Sequence, residues 1–332
     1  MSFMVETVRI DAIDPHPNAD ALSLATIQGW TVCIHKDKYK VGDIVVYFPI
    51  DSILPLELSD RLKVTAHLNK QKVRAVKLRG IISFGLVMEN EENWPEGTDV
   101  TDHFGVKKYE PPPPPFSMRG QQARQPEMFY CYTRINNFNK YNKILQHGEE
   151  IVATEKIHGT SFRAGLINNE FLVGSHYCAM KPDDKIVYWR AAWHNNLEEK
   201  MRKHLAEQGE GNWMLYGEVY GKGIQDLDYG VNDGVQLRLF DISYCGQYID
   251  YDHFESNSKE MDLPIVPLVY RGPMDVELLT KHAEGKAFQG DHIKEGVVVR
   301  PIKERWDNRL GRVILKKINP EYSIRNKGTE YH

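Results

Sequence analysis

Five consecutive prolines, Pro111 to Pro115, restrict the folds open to this chain more than any other feature of it. A polyproline run has no amide hydrogens for a helix or a sheet ladder and holds its backbone extended, so it serves as a semi-rigid spacer. Tyr109-Glu110 precedes the run and a polar stretch, Phe116 to Gln125, follows it, and the residue patterning differs on its two sides. The expected organisation is two domains, 1–110 and 128–332, joined by a linker over 111–127. A chain of 332 residues is long enough for each domain to bury a core of its own.

Ahead of the prolines the chain reads as short strands and turns. Val5 to Ile10 alternates, Ala25-Thr26-Ile27 and Thr31 to Ile34 flank a turn at Gln28-Gly29-Trp30, and Ile44 to Phe48 is stopped by Pro49. Gly80 to Met88 supplies a further strand pair. Strands at this spacing predict a small β-barrel of the oligonucleotide-binding (OB) type. The seven residues His16 to Leu22 resemble a signature of tRNA-binding OB modules.

Between Arg61 and Arg79 stand seven basic residues and no acid: Arg61, Lys63, Lys70, Lys72, Arg74, Lys77 and Arg79. Such a run can track a phosphate backbone, or it can defend an edge strand with solvated lysines. A formal net charge of −4 requires any nucleic-acid partner to be met by a local patch of this kind.

Composition bounds the rest. Apolar residues make up 41% and charged residues 27%, the balance of a soluble globular chain. The four cysteines (Cys33, Cys131, Cys178, Cys245) are scattered without a Cys-x-x-Cys, which predicts reduced thiols and no structural zinc. The first ten residues lack the apolar core of a signal peptide, and no apolar run approaches the length of a membrane span. A cytoplasmic monomer with no membrane partner is the expectation.

After the prolines, strands lengthen and helices appear, so the chain as a whole is expected to be α+β. Met128 to Lys143 is rich in aromatics, suited to base stacking and, more commonly, to a core. Tyr188 to Gln208 has helical periodicity, and further helices are expected near Tyr251 to Lys259 and Met274 to Gly285. Ile151-Val152-Ala153 leads into Glu155-Lys156-Ile157-His158-Gly159-Thr160, and a second apolar strand follows, placing Lys156 at the end of the first. Four more short motifs succeed it in order. They are Leu215-Tyr216-Gly217-Glu218, Leu239-Phe240-Asp241-Ile242, Glu295-Gly296-Val297-Val298-Val299-Arg300, and Val313-Ile314-Leu315-Lys316-Lys317-Ile318-Asn319. Each alone is weak, but the ordered set is specific.

This set resembles motifs I, III, IIIa, IV and V of the covalent nucleotidyltransferases: ATP-dependent DNA ligases, RNA ligases and mRNA-capping enzymes. The resemblance covers about 151–325. His158, where DNA ligases and capping enzymes generally carry aspartate, is similar to the RNA ligases. An OB-like part that precedes the catalytic part is similar to the small Naegleria and Deinococcus type of RNA ligase. The resemblance implies an antiparallel-sheet nucleotidyltransferase (ATP-grasp-like ligase) domain that seals a 3′-OH/5′-phosphate nick in a duplex, with RNA on the 3′-OH side, using ATP and Mg²⁺ or Mn²⁺; the alternatives are a DNA nick ligase and an RNA-binding protein whose ligase half is degenerate.

Carried onto this sequence, Lys156 is the nucleophile that becomes lysyl-AMP. Glu155 and Ile157 meet adenine through backbone atoms, with His158 and Gly159 in the same nucleotide-binding turn. Glu218 holds the ribose, Phe240 stacks on the base, Glu295 positions metal-bound water, and Lys316 contacts the α-phosphate. Lys317 departs from a lysine-x-lysine pattern, His176 stands where many RNA ligases have arginine, and Ser161 replaces a frequent asparagine. The attacking amine must be neutral, so Lys316, Lys317 and a metal ion are expected to lower its pKa.

Overall fold

The computed structural model describes residues 3–110, 122–208 and 211–325. The proline run and the linker up to residue 121 lie outside the described residues. Two compact units result, one of Met1–Pro113 with Pro320–His332 and one of Pro114–Asn319. The helix Pro320–Arg325 thus groups with the first unit, not with the second, where the sequence reading ended the catalytic domain. The physical reason is local: Ile324 packs on the Ile50, Ala75 and Phe84 cluster, and Glu321 pairs with Lys77 at 2.8 Å.

In the first unit, Glu6–Arg9, Ile44–Phe48 and Leu86–Glu89 form one antiparallel sheet, and Ala12–Pro15, Leu22–Ile27 and Trp30–His35 form another. Ile44–Phe48 is buried on both faces. Val45 and Tyr47 enter one apolar cluster, Val46 and Phe48 a second, which is why this strand reads as a continuous apolar run. Gln28 and Gly29 take φ of 48° and 73°, the geometry of a tight primed hairpin turn. Ile81–Ser83 and Leu86–Glu89 do not pair with each other as the sequence suggested; the first joins Val76–Leu78, the second Ile44–Phe48. His16 is buried, its ring spanning the Asn18 N–H and the Leu78 carbonyl, so the OB-like signature here braces a loop.

The second unit is built on two large sheets, with a two-stranded ribbon of Trp306–Asp307 and Gly311–Arg312 beside them in sequence. A five-stranded sheet runs Asn136–Asn137, Leu315–Ile318, Gly296–Pro301, Glu150–Glu155, Leu268–Pro273, and only its first pairing is parallel. A six-stranded antiparallel sheet runs Ala179–Met180, Glu170–Ser175, Thr160–Ile167, Trp213–Tyr220, Gln236–Tyr244, Gln247–Tyr248. Pleating assigns the faces. Phe162, Ala164, Leu215 and Val219 pack with Trp189, Leu197, Met201 and Phe254 of the helices, while Met214 and Tyr216 point the other way and share a cluster with Val298 of the five-stranded sheet and with Ile314, just before its strand Leu315–Ile318. The five-stranded sheet's outer face carries Ile151, Ala153, Val297, Val299 and Leu315 against Leu279 and Ala283 of the helix Val276–Ala283.

The periodic stretch from Tyr188 to Gln208 is two helices, Val187–His194 and Leu197–Gln208. Asn196 lies between them with φ of 50°, a left-handed conformation that asparagine tolerates and that ends the first helix. Phe129, Tyr132 and Phe138 are buried, so the aromatics of 128–143 serve mainly the core. Among the described residues no helix is long and apolar enough to cross a membrane.

Candidate active site

Strand alternation sorts the charged residues. Side chains opposed across antiparallel strands share a face. Thr154, Val298 and Lys316 are opposed and look toward the six-stranded sheet. Glu155, Val297 and Lys317 are opposed on the outer face. Two pairs of chain neighbours, Glu155-Lys156 and Lys316-Lys317, are therefore divided between faces. Lys317 donates to Asn139 Oδ1 at 2.6 Å and lies 5.6 Å from the Phe138 ring centre; burial pushes its pKa down to about 8. Glu155 accepts the Phe288 N–H with both carboxylate oxygens at 3.1 Å, and burial raises its pKa.

Lys156 follows its strand directly and is held in line by its own N–H on the Gly296 carbonyl, 3.0 Å away. Its ammonium Nζ stands 2.5 Å from Glu295 Oε1, with 20% of the lysine side chain and 1% of the glutamate's open to solvent. Glu295 immediately precedes the strand Gly296–Pro301, and its carbonyl accepts the Asn319 N–H. Gly296 has φ of 149°, and a Cβ there would run into the Lys317 carbonyl, so only glycine lets the two strands close beneath the carboxylate.

The electrostatics of Lys156 differ from the sequence expectation. Burial alone would lower its pKa, but attraction to Glu295 and Glu218 outweighs it and the net shift is upward. Lys317 does not help, being on the other face. Lys156 is thus held as an ammonium against the Glu295 carboxylate. Glu218, half-buried on the Trp213–Tyr220 strand, is pushed by burial up to about 8, partly offset by the Lys156 charge. Gly159 sits against this strand; a Cβ would press on the Val219 carbonyl and come within 2.9 Å of Glu218 Cγ. A side chain at residue 159 would push the lysine turn away from Glu218.

His158 is buried. Its N–H donates to Tyr229 Oη at 2.7 Å, its Nε2 meets Asp226 Oδ1 at 2.8 Å, and its Nδ1 lies 3.9 Å from Glu295 Oε2. Ile157, also buried, completes the turn. Phe240 occupies a β-bulge: Tyr216 pairs with Asp241 and Gly217 with Leu239, leaving Phe240 without an opposite residue. It is half-buried, packs 4.8 Å from the Tyr132 ring and belongs to the cluster that includes Val298, the residue opposite Lys316. His176 is half-buried past the end of Glu170–Ser175; burial, then the Arg163 charge, pushes its pKa down.

Among the described residues no three His, Cys, Asp or Glu side chains gather to bind a metal directly. The buried carboxylate of Glu295, with Glu218 close enough to act on the same ammonium, fits instead an ion held mostly through water and phosphate, the habit of Mg²⁺.

In the first unit the basic run is mixed. Lys72 pairs with Asp51 at 3.5 Å and lies 3.7 Å from the Tyr109 ring centre, a packed position. Arg61 pairs with Glu91 and Lys77 with Glu321. Lys63, Lys70 and Arg79 are exposed and Arg74 half-exposed.

Sequence reasoning missed the charged group behind the site. Asp241, fully buried, is held by Arg300 at 2.8 Å, Arg312 at 2.7 Å and the Tyr132 hydroxyl at 2.7 Å, with Glu304 completing the cluster. Asp241 stood in a quoted motif, but nothing in the spacing pointed to its partners. Asp226 and Tyr229, in the glycine-rich loop of 221–235, carried no signal either.

A mostly antiparallel two-sheet domain with a lysine paired to a buried glutamate at the sheet ends is the arrangement of a nucleotidyltransferase-like fold, and comparison with known proteins gives it a family. The RNA ligase family model matches residues 149–318, and an OB-fold domain model matches 4–89. The chain belongs to the RNA ligase family. Its fold is similar to that of Naegleria gruberi RNA ligase, solved as a mutant with ATP and Mn (23% identical, TM-score 0.81, covering 98% of this chain and 99% of that one). The same ligase with PPi gives 24% identity, TM-score 0.79 and coverage of 98% and 99%. A further mutant with AMP and Mn gives 23%, 0.80, 98% and 100%. No curated protein sequence matches the chain.

Proposed function

We propose that this protein is an ATP-dependent ligase that seals 3′-OH/5′-phosphate nicks, with RNA on the 3′-OH side, through a lysyl-AMP intermediate on Lys156. The observation that carries this reading is the Lys156–Glu295 pair at 2.5 Å with Glu218 beside it. Lys156 must lose a proton before its lone pair attacks the α-phosphorus, which releases pyrophosphate. Glu295 and Glu218 would hold a divalent ion mostly through water, and the ion would supply positive charge for the phosphate oxygens. In this reading Lys316, on the inward face, contacts the α-phosphate, and the apolar cluster of Phe240 and Val298 takes the base. AMP then passes to the 5′-phosphate of the nick, and the 3′-OH displaces it. The Mn-bound ATP and AMP complexes of the Naegleria gruberi enzyme support ATP and a divalent metal as the cofactors.

The test is incubation with ATP labelled at the α-phosphate and Mg²⁺, followed by denaturing electrophoresis. An acid-labile protein band that pyrophosphate removes is expected, and a blank lane would defeat the reading. A nicked duplex carrying RNA or DNA at its 3′-OH end then sets the acceptor; faster sealing of the RNA end is expected.

The division of the two lysines gives a sharper outcome. Lys316→Met lowers label formation by at least about tenfold, the size of one lost charged contact to a developing phosphate charge. Lys317→Met keeps it within about twofold. Lys317 has a depressed pKa in the folded chain, so it contributes stability that is present at high pH and lost as pH falls through about 8. That pH dependence disappears in Lys317→Met, as thermal melts between about pH 7 and pH 10 would show.

The exposed cations of the first unit are assigned to the nucleic-acid backbone. Replacing Lys63, Lys70, Arg74 and Arg79 together with glutamine lowers nick affinity and reduces the log–log salt slope by up to about 0.9 per lost phosphate contact. Self-adenylylation stays near wild type. Filter binding across a salt series checks it, and an unchanged slope would remove the assignment.

A further inference from the structure

We infer that the loop of residues 221–235 is the template that holds the Lys156 turn, with Tyr229 and Asp226 acting as positioning residues for the nucleophile; this rests on the lysyl-AMP reading above. Three contacts join the loop to the turn. Tyr229 Oη accepts the His158 N–H at 2.7 Å, Asp226 Oδ1 meets His158 Nε2 at 2.8 Å, and Gln225 Nε2 donates to the Gly159 carbonyl at 3.3 Å.

Tyr229 is the centre of this arrangement. It is fully buried, yet its backbone is left-handed, with φ of 55°. A bulky residue takes that conformation only where its surroundings insist on it, and such residues gather at functional sites. Its ring is caged by Tyr220 (5.2 Å between centres), Phe288 (5.5 Å) and His292 (4.5 Å, edge-on). Phe288 is also the residue whose N–H binds the Glu155 carboxylate.

One aromatic group therefore grips the chain on both sides of the nucleophile. Glu155, just before Lys156, is tied to the Phe288 backbone, and His158, two residues after, is tied to the Tyr229 hydroxyl. With both ends fixed, the lysine backbone has one orientation, and Nζ is aimed by side-chain rotamers alone. Asp226 performs the matching task for the imidazole: bound at Nε2, it leaves Nδ1 turned toward Glu295. Neither residue touches the reacting atoms.

The experiment is single-turnover formation of enzyme–AMP over a range of labelled ATP, beside sealing of a strand already adenylylated at its 5′ end, which bypasses the lysine. Tyr229→Phe keeps the ring and removes only the hydroxyl; Asp226→Ala removes the acceptor, and Asp226→Asn restores one. Tyr229→Phe and Asp226→Ala are expected to lower the rate at saturating ATP by at least about tenfold, since an ångström of misplacement costs up to about 10²-fold. The half-saturating ATP concentration should move less than about threefold, because binding is not their task. Asp226→Asn should recover most of the rate. The defect in sealing the pre-adenylylated strand should be smaller by at least about tenfold.

Wild-type rates in Tyr229→Phe and Asp226→Ala would overturn the inference. So would equal losses in both reactions that follow a fall in melting temperature, the mark of a purely structural role. If the wild-type protein itself takes no label, the lysyl-AMP reading fails instead, and the two failures are distinguishable in the same gel.

Discussion

Lys156→Ala forms no AMP adduct: label falls by at least about 10³-fold, as when a covalent nucleophile is removed from a group that works as a unit. Lys156→Arg fails equally, because a guanidinium does not give up its proton at any accessible pH. The two variants separate nucleophilicity from charge. Arginine keeps the positive partner that Glu295 and Glu218 now enclose, so the fold of the site should survive in it. Alanine instead leaves Glu295, 1% exposed, without its 2.5 Å counterion. Single-turnover labelling with melting curves on both variants checks the prediction. Label retained in Lys156→Arg would mean that another group carries the adenylate.

The second large effect concerns stability. Asp241→Asn removes the charge that holds Arg300 and Arg312 in the interior, where Asp241 and Arg312 have no exposed side-chain surface. Breaking a buried ion pair from one side costs about 3–5 kcal/mol, and here the two arginines are left to share Glu304 as their counterion. For a domain of this size that lowers the melting temperature by on the order of 10 °C. The pH dependence follows from the aspartate's own shift. Burial raises its pKa, but Arg300 and Arg312 outweigh burial and hold it below the usual carboxylate range. A group depressed in the folded state gives stability that is complete above its unfolded pKa, about 3.9, and is lost as pH falls through the lower folded value. The gap between wild type and variant is therefore constant near neutrality and closes in acid below about pH 4. Melts followed by circular dichroism from acid to neutral pH check this; a gap of less than about 2 °C at pH 7 would contradict it. The same variant tests Phe240, which sits in the bulge beside Asp241 and depends on it for its setting.

The legible part of the site was whatever a strand expresses locally. Trp213–Tyr220 and Gly296–Pro301 begin and end where their apolar residues and flanking turns indicate. The Asn168-Asn169 turn was readable because both residues tolerate positive φ, and they take 49° and 68°. Lys317 pointing away from Lys316 follows from a period of two. Less legible were the strands after Gly80, whose partners lie elsewhere in the chain. The break at Asn196 was also hidden, since apolar periodicity continues across it.

By itself, the sequence determined the strands, the order of the motifs along them and the residue types each motif offers, because propensity and alternation act over a few neighbours. Tertiary structure alone decided that Lys156 would meet Glu295, 139 positions later in the chain, and that two acidic side chains rather than two lysines would surround its amine. The reason is geometric. Adjacent residues on a strand face opposite ways, so the charge around a buried group is set by which strands lie across from it.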